Sequence, residues 1–236
     1  MFRLRVIRNK PGSPLAPPPM SLRLSPASCA TAPVAAPVAA PVAAPVIDPG
    51  AVRLPAGQCV LLDPTPRPDA TCLEVLDGVA RVFCPCEETE GMTLAFLQAG
   101  DQLRTDRLCS EGVCVEALTP LCFRSQAEPR EGHGFDPVNE WTLQLLRIRH
   151  LGSAEQRLHA LLALLVRRLG RRCGAWCDLP FRLTHERIAE LIGTTRVTTT
   201  RLISRIRAAE LLEVPSGETG LRLAPSLVEN APLAAA

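Results

Sequence analysis

The chain has 236 residues, 47% hydrophobic, 21% charged and 3% aromatic, with a formal net charge of +2. That length supports two modest domains with cores of their own, and no apolar run reaches the roughly 18 residues of a membrane helix, which excludes a helical membrane protein and predicts a soluble, cytoplasmic one. The small total hides an asymmetry: residues 46–140 hold 7 Lys/Arg against 16 Asp/Glu, whereas residues 142–210 hold 13 Arg against 5, so an acidic half precedes a half suited to a phosphate backbone.

In chain order, residues 1–45 come first as a Pro/Ala-rich arm, with an APVA unit repeated and Pro33, Pro37, Pro41 and Pro45 spaced by four. Such a composition cannot bury a core and predicts a disordered segment. The basic start at Arg3, Arg5, Arg8 and Lys10 does not make a signal peptide, because Pro11, Pro14 and Pro17 to Pro19 break the apolar run that should follow; Met20 stands as an alternative start.

Residues 46–127 contain VRLPAGQCVLLD, CLEVLDGVARVFC, MTLAFLQAGDQL and VCVEALTPLCFRS, alternating segments with Gly57, Gly78, Gly91 and Gly100 at the expected bends. Several short strands at this spacing predict an antiparallel β-roll or barrel. Ten cysteines are spread over the chain (Cys29, Cys59, Cys72, Cys84, Cys86, Cys109, Cys114, Cys122, Cys173, Cys177) without a CxxC pair, so they read as small apolar residues and predict no metal site. His133, His150, His159 and His185 form no HExxH or Ser/His/Asp pattern, and no catalytic residues and no cofactor are predicted.

Residues 136–151, DPVNEWTLQLLRIRHL, predict a helix with Asp136 as N-cap and Pro137 in its first turn. Its Trp141, Leu145 and Ile148 recur at helical spacing and are the candidates for a dimerisation surface, the alternative being an ordinary core helix. Residues 152–228 then read as one unit. Ser153 with Gln156 makes a capping box for a helix whose Leu161, Leu162, Leu165 and Leu169 share a face. Leu212 to Val214 and Leu221 to Leu223 flank PSGETG, the pattern of a β-hairpin wing, and residues 229–236 are left as a disordered tail.

Within that unit, THERIAELIGTTRVTTTRLISRI (residues 184–206) is the most informative segment. Thr184 suits an N-cap, Ile188 and Ile192 with Leu191 share one face, Ala189 is small where a second helix must approach, and Gly193 sits where a turn needs positive φ. Thr194 or Thr195 can cap the following helix, whose Leu202 and Ile206 face the core, while Thr199 occupies a core position better suited to Val or Ile. This is the spacing of a helix-turn-helix with core residues Ile188, Ala189, Ile192, Gly193, Leu202 and Ile206. At 100° per residue, Arg196, Thr200 and Arg201 fall within an arc of about 140° that includes Val197. Arginine can bond guanine bidentately and an apolar side chain can meet a thymine methyl, so Arg196, Val197, Thr200 and Arg201 are the predicted base readers. Thr184, Thr195, Thr198 and Arg205 are the predicted backbone contacts. An αα-hairpin with solvated arginines is the bland alternative.

LPAGQ, LEVLDGVARVF, TLAFLQAGD and the helix-turn-helix together resemble the cyclic-AMP receptor protein and fumarate-nitrate regulator family of bacterial transcription factors over residues 50–225. GTTRVTTTRL is most similar to the cyanobacterial nitrogen-control branch, where a valine follows the reading arginine; Val197 therefore implies a half-site read differently from that of the cyclic-AMP receptor. The resemblance implies an α+β chain with a degenerate cyclic-nucleotide-binding-like β-roll, a linking dimerisation helix and a C-terminal winged helix-turn-helix. It does not carry cyclic-AMP binding, because DQLRTDRLCSEGVCVEAL after Gly100 lacks the Gly-Glu pair and the Arg-x-Ala stretch that hold the nucleotide. Nor does it carry an iron-sulfur cluster, since only Cys29 precedes the roll.

The expected function is that of a non-enzymatic, homodimeric transcription regulator on an inverted repeat of double-stranded DNA, with half-sites about 34 Å apart and RNA polymerase as a candidate partner. A second reading makes the β-roll the working part, as a small-ligand or thiol-redox sensor or interaction module. Effector, target genes and the sign of regulation have no sequence signal.

Overall fold

The structure is a computed structural model that describes residues 5–7, 50–62, 72–86, 89–104, 112–127, 136–215 and 219–232. Among the described residues, nine strands build the N-terminal domain: β1 (Arg5–Ile7), β2 (Ala51–Leu54), β3 (Cys59–Leu62), β4 (Cys72–Asp77), β5 (Val79–Cys86), β6 (Thr89–Gln98), β7 (Gln102–Arg104), β8 (Val113–Ala117) and β9 (Leu121–Gln126). They form two antiparallel sheets, a five-stranded one ordered β1-β3-β8-β5-β6 and a four-stranded one ordered β2-β9-β4-β7. Each of the four alternating segments in the sequence supplies two strands.

Side-chain alternation shows where the core lies. Val60 and Leu62 on β3, Val113 and Val115 on β8, and Ala80 and Val82 on β5 point inward and are buried. Their outward neighbours Cys59, Glu116 and Arg81 are buried as well, because helices cover that second face. Period-two patterning alone would have placed a charged pair in water.

Two expectations need correction here. Residues 5–7 fall in the segment expected to be disordered, yet they are a strand paired with β3 at Arg5↔Leu61, Val6↔Val60 and Ile7↔Cys59. The Arg-Val-Ile run supplies β-branched residues to a sheet edge whose backbone groups need partners. Gly91, expected at a bend between strands, lies inside β6, where the register with β5 shifts between Cys84 and Cys86. Its φ of +90° and the 2.3 Å that would separate an added Cβ from the Phe83 ring show why only glycine fits.

Helix α1 (Pro137–Arg149) follows, with the Asp136 carboxylate accepting from the Val138 N–H at 3.0 Å. Helix α2 (Ala154–Leu169) starts at a reciprocal capping box between Ser153 and Gln156. Strands β10 (Arg171–Cys173) and β11 (Trp176–Leu179), helices α3 (His185–Ile192) and α4 (Arg196–Ala208), strands β12 (Leu212–Glu213) and β13 (Leu221–Leu223), and helix α5 (Pro225–Glu229) complete the chain. The expected wing strands pair as β12 and β13, extended by a β10-β11 hairpin into a four-stranded sheet ordered β10-β11-β13-β12. That hairpin was legible in RRCGAWCDL only as a short alternation around Gly174.

Trp141, Leu145 and Ile148 are buried within the protomer itself, at 4%, 6% and 2% exposure. Trp141 meets Phe96 of β6 edge-on at 5.1 Å, and Phe96 stacks on Phe181, just before α3, at 6.2 Å. In a chain this poor in aromatics, three of them join roll, linking helix and helix-turn-helix. These three residues of α1 are therefore not its free face; Leu143 and Leu146 are, at 53% and 52% exposure. Helical periodicity identifies an apolar stripe but not the partner that covers it. The expected tail is likewise corrected: Glu229 closes α5, Ala231 is buried, and Arg167 of α2 donates to the Val228 carbonyl at 2.9 Å. Residues 233–236 lie outside the described residues.

Candidate nucleic-acid interface

Local chemistry builds the reading unit. Thr184 caps α3, its hydroxyl accepting from the Arg187 N–H at 3.2 Å, and Glu186 lies in the first turn. Gly193 ends the helix with φ 61° and ψ 56°, the left-handed conformation of a helix C-terminus. It is exposed, so its part is to turn the chain rather than to fill the core. Of the two cap candidates, Thr195 is used, accepting from the Thr198 N–H at 3.2 Å.

Ile188, Ala189, Ile192, Leu202 and Ile206 are all buried where α3 crosses α4. Thr199 is fully buried beside them, and its hydroxyl has no hydrogen-bond partner among the described residues. Replacing it with the isosteric valine removes a desolvated hydroxyl and restores the apolar contact. Thr199→Val should stabilise the protein by about 1 kcal/mol, read as a higher urea midpoint at unchanged slope.

The predicted base readers all lie on the exposed surface of α4. Arg196 occupies its first position, Val197 is 60% exposed although apolar, and Thr200 and Arg201 are exposed one turn on. Thr200 donates to the Arg196 carbonyl at 2.9 Å and lies 2.8 Å from Nδ1 of His185, a contact between the two helices that the sequence did not reveal. Among the predicted backbone contacts, Thr184 and Thr195 are engaged as caps, and the Thr195 and Thr198 hydroxyls are 3.0 Å apart. Arg205 pairs with Glu155 at 3.5 Å across an exposed surface, a contact that solvent weakens and a phosphate can replace.

Behind this surface lies a network that sequence reasoning missed. Arg81 is 1% exposed; it donates through Nε to the Thr93 hydroxyl at 2.8 Å and through Nη1 to Glu116 at 3.4 Å. Glu116 also accepts from Arg187 of α3 at 2.7 Å, and the Thr93 hydroxyl donates to Glu190 of α3 at 2.9 Å. Arg149, at the end of α1, donates to the backbone carbonyls of Glu190 and Leu191, satisfying the C-terminal turn of α3. Burial, helped by the nearby Arg187, holds the Arg81 guanidinium below its ordinary pKa, and Glu116 opposes that shift. The β-roll thus grips the first helix of the reading unit through buried charges while leaving α4 free. The register Arg81↔Glu116 between β5 and β8 is the only part of this visible as a strand pattern.

Cys59 and Cys114 sit on the same sheet face. The interaction between the two thiols pushes Cys59 up and, with Arg81 nearby, holds Cys114 below its usual value. Both are buried. Among the described residues no group of three His, Cys, Asp or Glu is placed to hold a metal ion, and no helix is long and apolar enough to cross a membrane.

A two-sheet roll, a linking helix and a capped helix-turn-helix with a β-hairpin wing define a DNA-binding regulator of the winged-helix class. Residues 52–138 match the cyanobacterial CRP family N-terminal domain, and residues 156–224 match the Crp-like helix-turn-helix domain. Regulatory protein CysR of Synechococcus elongatus is 32% identical over 141 residues, 58% of this chain and 68% of that protein. The global nitrogen regulator of a Nostoc species is 36% identical over 75 residues, 32% of each chain. Among solved structures, a CRP/FNR-family transcriptional regulator from Thermus thermophilus superposes with a TM-score of 0.58 at 20% identity, covering 77% of this chain and all of that one. FixK2 from Bradyrhizobium japonicum superposes with a TM-score of 0.57 at 16% identity, covering 77% and 96%. The chain belongs to the Crp/Fnr family of transcription regulators.

Proposed function

We propose that this regulator binds an inverted-repeat DNA site as a homodimer, reading bases with Arg196, Val197, Thr200 and Arg201. The observation that carries the reading is the exposed N-terminal face of α4: two arginines and a solvent-facing valine on a helix whose opposite face is fully packed. Exposing a valine to water brings no folding benefit, whereas against a thymine methyl it discriminates between bases. Thr184, Thr195, Thr198 and Arg205 border this face and set its register on the phosphates. The burial of Cys59 and Cys114 weighs against thiol sensing by that pair.

The dimer surface we assign is the outward face of α1, centred on Leu143 and Leu146. A Leu143→Glu, Leu146→Glu double variant should keep its fold but raise the dimer dissociation constant at least about tenfold, measured by sedimentation equilibrium. An unchanged constant would move the interface elsewhere.

The test of the function is selection of bound sequences from random duplex DNA at two salt concentrations. An inverted repeat recovered at both supports a specific dimeric regulator. Binding that collapses with salt and yields no motif would mean that the basic half merely coats the phosphate backbone.

A further inference from the structure

Beneath the reading helix lies a crevice of about 350 Å³, bounded by α2, α3, α4 and the wing and lined by Leu162, Leu165, Ile188, Ile203, Val214 and Leu221, among others. The crevice opens to solvent, and its volume is of the order small ligands occupy. Its polar border is one-sided. Arg182 and Arg207 line it, both exposed and neither guanidinium with a hydrogen bond or ion pair among the described residues, and the described lining contains no Asp or Glu.

We propose that this crevice binds a free amphipathic monocarboxylate, a medium-chain acid whose apolar body fills the leucine-lined space and whose head lies between the Arg182 and Arg207 guanidiniums. The lining selects this chemistry. Two unpaired guanidiniums call for an anion. Among the described residues the lining has no Phe, Tyr, Trp, Asn or Gln to stack on or read a nucleobase, and no carboxylate to accept from sugar hydroxyls. A DNA phosphate can satisfy the arginines but leaves the apolar volume empty.

The position gives such a ligand a regulatory consequence. Thr184 and His185 also line the crevice, and His185 contacts the base reader Thr200 at 2.8 Å. A bound carboxylate offsets one of the two positive charges at the edge of the DNA-facing surface, and its chain ties the wing strands to α3 and α4. DNA affinity should fall when the site is filled, an expectation that rests on the DNA-reading role proposed above.

Isothermal titration of the full chain with decanoate, and with decanol as the neutral counterpart, tests the site directly. Saturable one-to-one binding of decanoate is expected. In Arg182→Gln with Arg207→Gln, decanoate should bind about tenfold more weakly while decanol is unaffected. Leu221→Trp, which fills the crevice from the wing, should abolish both; if that variant unfolds, the glutamine pair still decides. No saturable binding, or decanoate binding insensitive to the glutamine pair, overturns the proposal. Decanoate binding without a recoverable DNA motif would leave this site standing and remove the DNA reading; a motif without decanoate binding would do the reverse.

Discussion

Replacing Arg196 with alanine is expected to relax specificity at one base pair of each half-site, at a cost of about 1 to 3 kcal/mol on the preferred sequence. Arg196 is the first residue of α4, held by the Thr195 cap, so its guanidinium projects from the end of the helix that enters a major groove first. Binding should be measured against a set of duplexes, each altered at one position. The wild-type protein should penalise the wrong base at each position of the half-site; the variant should lose the penalty at a single position and keep the others. A uniform loss across all duplexes would make Arg196 a phosphate contact and transfer the reading role to Arg201.

A larger effect on stability is expected at Glu116. Its carboxylate joins Arg81 at 3.4 Å and Arg187 at 2.7 Å, with side-chain exposures of 6%, 1% and 15%. Glu116→Ala leaves the Arg81 guanidinium buried without its carboxylate and should destabilise the protein by about 3 to 5 kcal/mol, read by chemical denaturation. Replacing Arg81 and Glu116 together with leucine should recover most of that loss, because buried ion pairs mostly offset their own desolvation. If the single variant loses less than about 1 kcal/mol, Thr93 and the Gly91 carbonyl hold Arg81 without Glu116. Because the same carboxylate reaches α3, the single variant should also loosen the reading unit from the roll, visible as faster amide exchange in α3.

The parts of this molecule that the sequence makes legible are those set by near neighbours. Thr184, Thr195, Asp136 and Ser153 each cap a helix where their spacing predicts it, since a cap is a contact over two or three residues. Gly193 is recognisable because left-handed backbone excludes most other residues. The strands of the roll follow from alternation, and the exposed face of α4 from helical periodicity. Where the sequence left two readings open, the deciding contact is distant. Trp141, Leu145 and Ile148 form an apolar stripe in either case, but whether a second copy or the protomer's own β6 covers it depends on a ring 45 residues away, Phe96.

The sequence by itself thus determined that this is a strand-rich acidic domain followed by a basic helix-turn-helix of the Crp/Fnr kind, and which face of α4 is exposed. Only the tertiary structure decided that Arg81, Glu116, Arg187 and Glu190 meet, that Leu143 and Leu146 remain exposed, and that a crevice opens under the wing. The reason is physical: caps and periodicity act over one helical turn, whereas the Arg81 to Glu116 and Glu116 to Arg187 contacts span 35 and 71 residues, and a one-dimensional pattern carries no record of which buried face packs on which.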